Sequence, residues 1–232
     1  MPSGKKSRAA RQAAQAKAPP PVRSKGARGV RETWLRGDRL WWSGGGLAAI
    51  VVVVVAIVLA SGGSGKPVHV DFAQLAGLQS GPPPWNNDIA ALPGRLAGLH
   101  LDSLTQQGSV EHIHQHLDVY VNGAHLTVPA GIGIYGNSFI TELHTHATDD
   151  VIHLESPTNR AYTLGQFFGE WGVRLTASCL GRYCGDLHWW VNGKEQTGDP
   201  ADLLLGAHQE IVIAAGKSPA RVPASFNFPP GE

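Results

Sequence analysis

Residues Glu111 to Glu155 decide the fold: EHIHQHLDVYVNGAHLTV over 111–128, a glycine-rich connection, then ELHTHATDDVIHLE over 142–155. Successive side chains of a strand point to opposite faces, so residues i, i+2 and i+4 share one. His112, His114, His116, Asp118 and Tyr120 therefore line one face, and Ile113, Leu117, Val119 and Val121 the other, with Gln115 a polar exception on the apolar side. Asn122-Gly123 is a strong hairpin signal, because a type I′ turn needs positive φ at both central residues. It pairs Val121 with Ala124, Tyr120 with His125 and Val119 with Leu126. The second segment repeats the pattern. Glu142, His144 and His146 share a face opposite Leu143 and Thr145, and a turn around Thr148-Asp149 pairs His144 with His153 and Glu142 with Glu155. Ile152 and Leu154 stay on the apolar face.

Seven of the eleven histidines lie in this stretch. Neutral imidazole is a common ligand for zinc, copper and nickel. An i, i+2 pair on a strand separates two Cα atoms by about 7 Å, which converging rings can bridge with one ion, whereas the outer pair of His112, His114 and His116 is about 13 Å apart. Two of these three are therefore expected to join one or more of His144, His146 and His153 around a metal. Glu111, Glu142 and Glu155 are candidate carboxylate ligands or supports for the ligands. Met1 is the one methionine and the chain has two cysteines, so a soft Cu(I) site is disfavoured and Zn(II) or Cu(II) fits best. Gly131-x-Gly133-x-x-Gly136 matches a dinucleotide fingerprint in letters, but NSFITELHTH after it is not an amphipathic helix, so the glycines read as a loop.

The 232-residue chain is electrically divided. Residues 1–39 hold eleven Lys/Arg against two acids, and the remainder holds eight against sixteen. Between the halves, Leu40 to Ala60 carries no charge over 21 residues, with Trp41 and Trp42 at its start. A helix of about 20 residues spans a bilayer, aromatic pairs sit at interfaces, and a basic flank stays in the cytoplasm. The expectation is a disordered basic cytoplasmic tail (1–39), a single-pass transmembrane helix (40–60), a linker or stalk with short elements (61–108), a histidine-rich extracytoplasmic domain (109–216) and an extended tail (217–232). A cleaved signal peptide is the alternative to the anchor. The basic tail reads as a topology determinant, so no nucleic-acid partner is expected. Residues 67–108 are expected either to wrap the following domain or to act as a stalk, and within them Asn87-Asp88 should cap a short helix that Pro93-Gly94 stops.

Towards the C-terminus, Leu164, Phe167, Phe168 and Trp171 fall at i, i+3, i+4 and i+7 after Thr163, the pattern of a capped helix covering an apolar sheet face. Cys179 and Cys184 would form a disulfide outside the cytoplasm, with redox or metal-binding thiolates as the alternative. Asn192-Gly193 marks another hairpin, and Ile211 to Ala214 the core of a last strand.

From Val151 to Ala215 the order strand, LGQFFGEWGV helix, loop, WWVNGK hairpin and final strand resembles the ubiquitin-like β-grasp domains of exported bacterial proteins. That resemblance implies one helix packed across a mixed sheet. HIHQHLDVYVNG and LHTH resemble a family of histidine-rich, membrane-anchored bacterial proteins, which implies a bacterial cell membrane location and metal binding. The expected fold class is thus α+β, a transmembrane helix followed by a β-rich, β-grasp-like domain with one main helix. The expected function is extracytoplasmic binding of a divalent transition metal, for homeostasis, delivery or sensing, with a metal-trafficking protein as partner. A metal-dependent hydrolase, hydratase or oxygenase is one alternative, and a non-metal protein-interaction module another. Oligomeric state is not encoded in these patterns.

Overall fold

The computed structural model describes residues 66–231. The basic tail and the apolar segment 40–60 lie outside the described residues; among those described, no helix is long and apolar enough to cross a membrane.

The protein is mixed α+β. Its strands are β1 (Glu111–Val121), β2 (Ala124–Leu126), β3 (Ile134–Tyr135), β4 (Phe139–Ile140), β5 (Leu143–His144), β6 (Val151–Ser156), β7 (Leu175–Thr176), β8 (Cys179–Leu180), β9 (Tyr183–Cys184), β10 (Leu187–Val191), β11 (Lys194–Glu195) and β12 (Glu210–Ala215). Among the described residues, two α-helices, α1 (Leu92–Leu99) and α2 (Leu164–Trp171), complete the frame. The main sheet runs β11-β10-β12-β1-β6-β5, with β2 also against β1. β1 is parallel to β12 along residues 116–121. On its other edge it pairs first with β6, then with β2 beyond it, both antiparallel.

The alternation read in β1 holds. Leu117 and Val119 point into the core, which β6 extends with Ile152 and Leu154, and β5 with Leu143. Asn122 (φ 51°) and Gly123 (φ 83°) form the turn, and the pairings of Val121, Tyr120 and Val119 with Ala124, His125 and Leu126 follow. Helix α2 lies over the apolar face. Thr163 caps it through a reciprocal capping box with Gln166, and Leu164, Phe167, Phe168 and Trp171 are all buried. Cys179 and Cys184 form a disulfide across β8 and β9.

The expectation for residues 87–94 needs correcting. Pro93 and Gly94 do not stop a helix; they open one, because proline lacks only an N–H that the first helical turn leaves unpaired anyway. Asp88 makes no side-chain cap and instead receives a 2.7 Å hydrogen bond from buried Arg95, whose other nitrogen donates to the Glu170 carbonyl at 2.8 Å. That guanidinium ties α1 to α2. The segment before β1 packs onto the fold: Val70, Phe72, Trp85, Leu99 and Leu101 belong to the same core as the sheet. On the histidine face, His114, His116, His144 and His153 are all buried.

Candidate metal centre

The ladder of the main sheet builds the site. β1 and β6 set His112 opposite Glu155 and His114 opposite His153; β5 then sets His144 opposite His153. Three strands thus carry a cross-strand row, His114–His153–His144, with His112 and Glu155 one step along. Neighbouring strands lie about 4.8 Å apart, so side chains in one row meet. Ring centroids are 4.5 Å apart for His114–His153, 4.9 Å for His112–His114 and 5.6 Å for the parallel rings of His144 and His153. His146, just past β5, closes the group at 4.6 Å from His153 and 4.8 Å from His144.

Beside β5 a glycine-rich loop acts as an outer rail. Gly131 N–H donates to the Thr145 carbonyl (2.8 Å) and Thr141 N–H to the Gly133 carbonyl (2.9 Å). Gly133 has φ 72°, and any Cβ there would run into the Leu143 carbonyl and Thr141 Oγ1. Gly133 therefore serves close packing against the strand that presents His144.

The electrostatics favour neutral imidazoles. Burial pulls His144 down to about 3, against a hydrogen bond that its Nδ1–H donates to the Thr141 carbonyl at 3.0 Å; His146, His153 and His114 add to the depression. Burial also lowers His153, to about 4, with repulsion from His114 and His146. His114 is lowered for the same reasons, burial first. The Thr141 bond fixes the His144 tautomer and leaves Nε2 with a lone pair. That Nε2 and Nδ1 of His153 are fully buried and have no hydrogen-bond partner. An unsatisfied buried polar atom costs about 1–3 kcal/mol.

Both orphan nitrogens face Glu155, itself only 5% exposed. Glu155 Oε2 is 3.8 Å from His144 Nε2, and Oε1 is 3.6 Å from His153 Nδ1 and 3.3 Å from His112 Nε2. The first two separations are too long for a hydrogen bond. They are close to the roughly 3.4 Å between two ligands of one tetrahedral ion with bonds of about 2.1 Å. His144, His146, His153 and Glu155 offer four ligand atoms mutually within 4.8 Å, and His112, His114 and Glu155 offer three. Either set could hold a metal ion.

The other sequence candidates fall elsewhere. His116 turns to Glu210 (Nδ1 to Oε2 3.1 Å) and stacks flat on Phe226 at 3.9 Å. Burial depresses its pKa, but the Glu210 hydrogen bond and charge outweigh that, and the net shift is upward. Nearby, His125 Nε2 lies 2.9 Å from Asp118 Oδ1, and Asp150 accepts from Val128 N–H at 2.6 Å. His116, Asp118 and Asp150 also form a group that could hold an ion. Glu142 is outside the histidine cluster: it takes a 2.8 Å hydrogen bond from Arg160 and another from Asp102 N–H. Glu111 shares the Ile113 face, away from the histidines, and burial raises its pKa.

Two site neighbours escaped the sequence reading. Gln107, in the supposed stalk, places Nε2 2.9 Å from His146 Nε2. His208 donates its backbone N–H to the His114 carbonyl at 2.7 Å and lines a cleft of about 350 Å³ with His112 and His114. Ninety-four positions separate His208 from His114, and the parallel β1–β12 register alone brings them together. Comparison of the chain with protein-family models, curated proteins and solved structures returns no match.

Proposed function

We propose that this protein binds a divalent transition metal, Zn(II) or Cu(II), through His144, His146, His153 and Glu155, with His112 and His114 beside them. The observation that carries this is the pair of buried, unpartnered nitrogens on His144 and His153, aimed at one buried carboxylate at ligand spacing. A metal ion satisfies all three groups at once, whereas a hydrogen-bonded core would have needed donors there. Imidazoles that stay neutral well below pH 6 do not have to release a proton to bind it. The nitrogen-rich ligand set supports zinc or copper over magnesium or calcium, which prefer oxygen.

The uncharged segment 40–60 and its basic flank support a single-pass anchor with the metal domain outside the cell membrane. In that setting the protein would carry, store or sense metal and hand it to an extracytoplasmic partner. A parallel β1–β12 pair flanked by two Asn-Gly hairpins, with α2 across one face, supports the β-grasp likeness. The cleft beside His112 and His114 supports a second reading, a metal-dependent enzyme, because it gives a small molecule access to the ligands.

The test is metal content. The full-length chain, without a histidine tag, should retain near-stoichiometric zinc or copper after dialysis, by mass spectrometry. His144→Ala and His146→Ala should abolish or sharply reduce it; His146 is exposed, so its removal leaves the core alone. A chain that holds no metal after incubation with Zn(II) and Cu(II) would refute the proposal.

A further inference from the structure

The cluster contains more ligands than one ion needs. A tetrahedral ion takes four, and His144, His146, His153 and Glu155 already supply four. His112 and His114 remain, 4.9 Å apart by ring centroid, with Glu155 completing a second three-ligand set. Resting on the metal-binding reading above, we propose that the centre holds two transition-metal ions bridged by the Glu155 carboxylate: one ion on His144, His146 and His153, the other on His112 and His114.

Three features carry this. The first is span. Five of the six ligands occupy two successive rows of a three-stranded ladder, about 7 Å along the strands and about 9–10 Å across them at the Cα atoms, and His146 follows just past the end of β5. Metal–nitrogen bonds of about 2.0–2.1 Å cannot collect all of them on one ion. A pair of ions about 3.5–4 Å apart fits that span.

The second is the orientation of Glu155. Its oxygens face different imidazoles: Oε2 lies 3.8 Å from His144 Nε2, while Oε1 lies 3.3 Å from His112 Nε2. A carboxylate serving one ion would turn one edge to one ligand set. This one sits between two sets, on β6, with His112 directly across the ladder on β1 and β5 on the opposite edge. His153 Nδ1, 3.6 Å from Oε1, lies at the seam.

The third is access. His112 and His114 border the cleft of about 350 Å³ that Ala207 and His208 also line. His146 borders a separate groove of about 460 Å³ with Gln107, Ile134 and Phe139. Each half of the centre therefore has its own route to solvent, through which an ion can enter and a water can complete its coordination. Two divalent ions against one carboxylate leave a positive excess, so hydroxide or another small anion is the expected additional bridge.

Cu(II) is the probe, because two copper ions joined by a carboxylate couple magnetically. The full-length, untagged chain titrated with Cu(II) and dialysed should retain two copper ions by mass spectrometry, with an electron paramagnetic resonance spin count well below two. His112→Ala should retain one ion, with its full spin visible. His112 is exposed, so this variant keeps the fold. Glu155→Gln should weaken the coupling, so that more of the spin becomes visible. One copper per wild-type chain, or two with undiminished spins, overturns the two-ion centre and leaves the metal-binding reading standing. A wild-type chain without copper overturns both.

Discussion

The two ends of β1 place the same residue type on the same face at the same spacing and give it opposite chemistry. At one end, His112 and His114 meet three imidazoles and a single carboxylate, two ring nitrogens are buried without a partner, and separations to Glu155 run from 3.3 to 3.8 Å. At the other, His116 lies 3.1 Å from Glu210, and Asp118 lies 2.9 Å from His125, hydrogen-bond distances within a carboxylate-rich group. Whether a strand histidine becomes a ligand or an ion-pair partner is decided by the neighbouring strands. β5 and β6 bring further histidines and one acid; β12 brings Glu210.

The largest expected effect separates the two ends by metal retention. His153→Ala should weaken copper or zinc binding by about 100-fold or more, since it removes a ligand rather than one of its supports. His116→Ala should leave affinity and stoichiometry unchanged. Competition with a chelator of known affinity reads both. Equal losses would mean that the ends form one site.

Stability should reverse the ranking. With metal removed, His116→Ala leaves Glu210 buried beside Asp118 without its cation and should cost on the order of 3 kcal/mol in urea unfolding. His153→Leu in the same metal-free state deletes an orphan nitrogen and keeps the volume, so it should change stability by less than about 1 kcal/mol. With metal bound, that second variant should become the costlier one, because it forfeits the stabilisation that a ligand confers on the folded state.

Acid should also tell the ends apart. His144 and His153 have folded pKa values depressed to about 3 and about 4. The unfolded chain, with histidine near pKa 6.5, therefore binds protons first. Their contribution is intact above about pH 6.5 and is lost as pH falls towards those folded values, at about 1.4 kcal/mol per pH unit for each proton. The raised pKa of His116 works the other way: its contribution is complete below about pH 6.5 and fades as pH climbs through the folded value. Thermal melts in EDTA from pH 7 to 5 should fall steeply for the wild type and less steeply for His153→Leu. Parallel slopes would contradict the neutral, buried state of His153.

Much of this was legible in the sequence because it is local. Period-two alternation and the Asn122-Gly123 turn gave the first hairpin and its register, and the i, i+3, i+4, i+7 stripe gave α2 with its Thr163 cap. The pairing of His144 with His153 followed from the apolar positions around them. What was not legible is long-range. Nothing near His116 announces Glu210, which arrives through a parallel pairing 94 residues away. Gln107 reached His146 from a segment whose breakers read as a stalk, and Glu142 was drawn off by Arg160, which alternation on one strand cannot reveal. Pro93 was misread because a proline's effect depends on whether it falls inside a helix or in its first turn.

Gln115 gives the sharpest control. It sits on β1 between His114 and His116, on the apolar face, fully buried, with both Oε1 and Nε2 lacking partners. It carries the same kind of cost as the orphan nitrogens of His144 and His153, but opposite Ile152 on the apolar side of the ladder. Gln115→Leu should therefore stabilise the protein by about 1–2 kcal/mol, by removing two unsatisfied atoms from an apolar layer. The gain should be the same with and without metal, since no ligand reaches that face, whereas the effect of His153→Leu should change sign or size when metal is added. Urea unfolding of both variants in EDTA and in saturating zinc gives the four values needed. If the Gln115→Leu gain also depended on metal, the two faces of β1 would be coupled, and orphan polar atoms at this sheet would no longer mark where the ions bind.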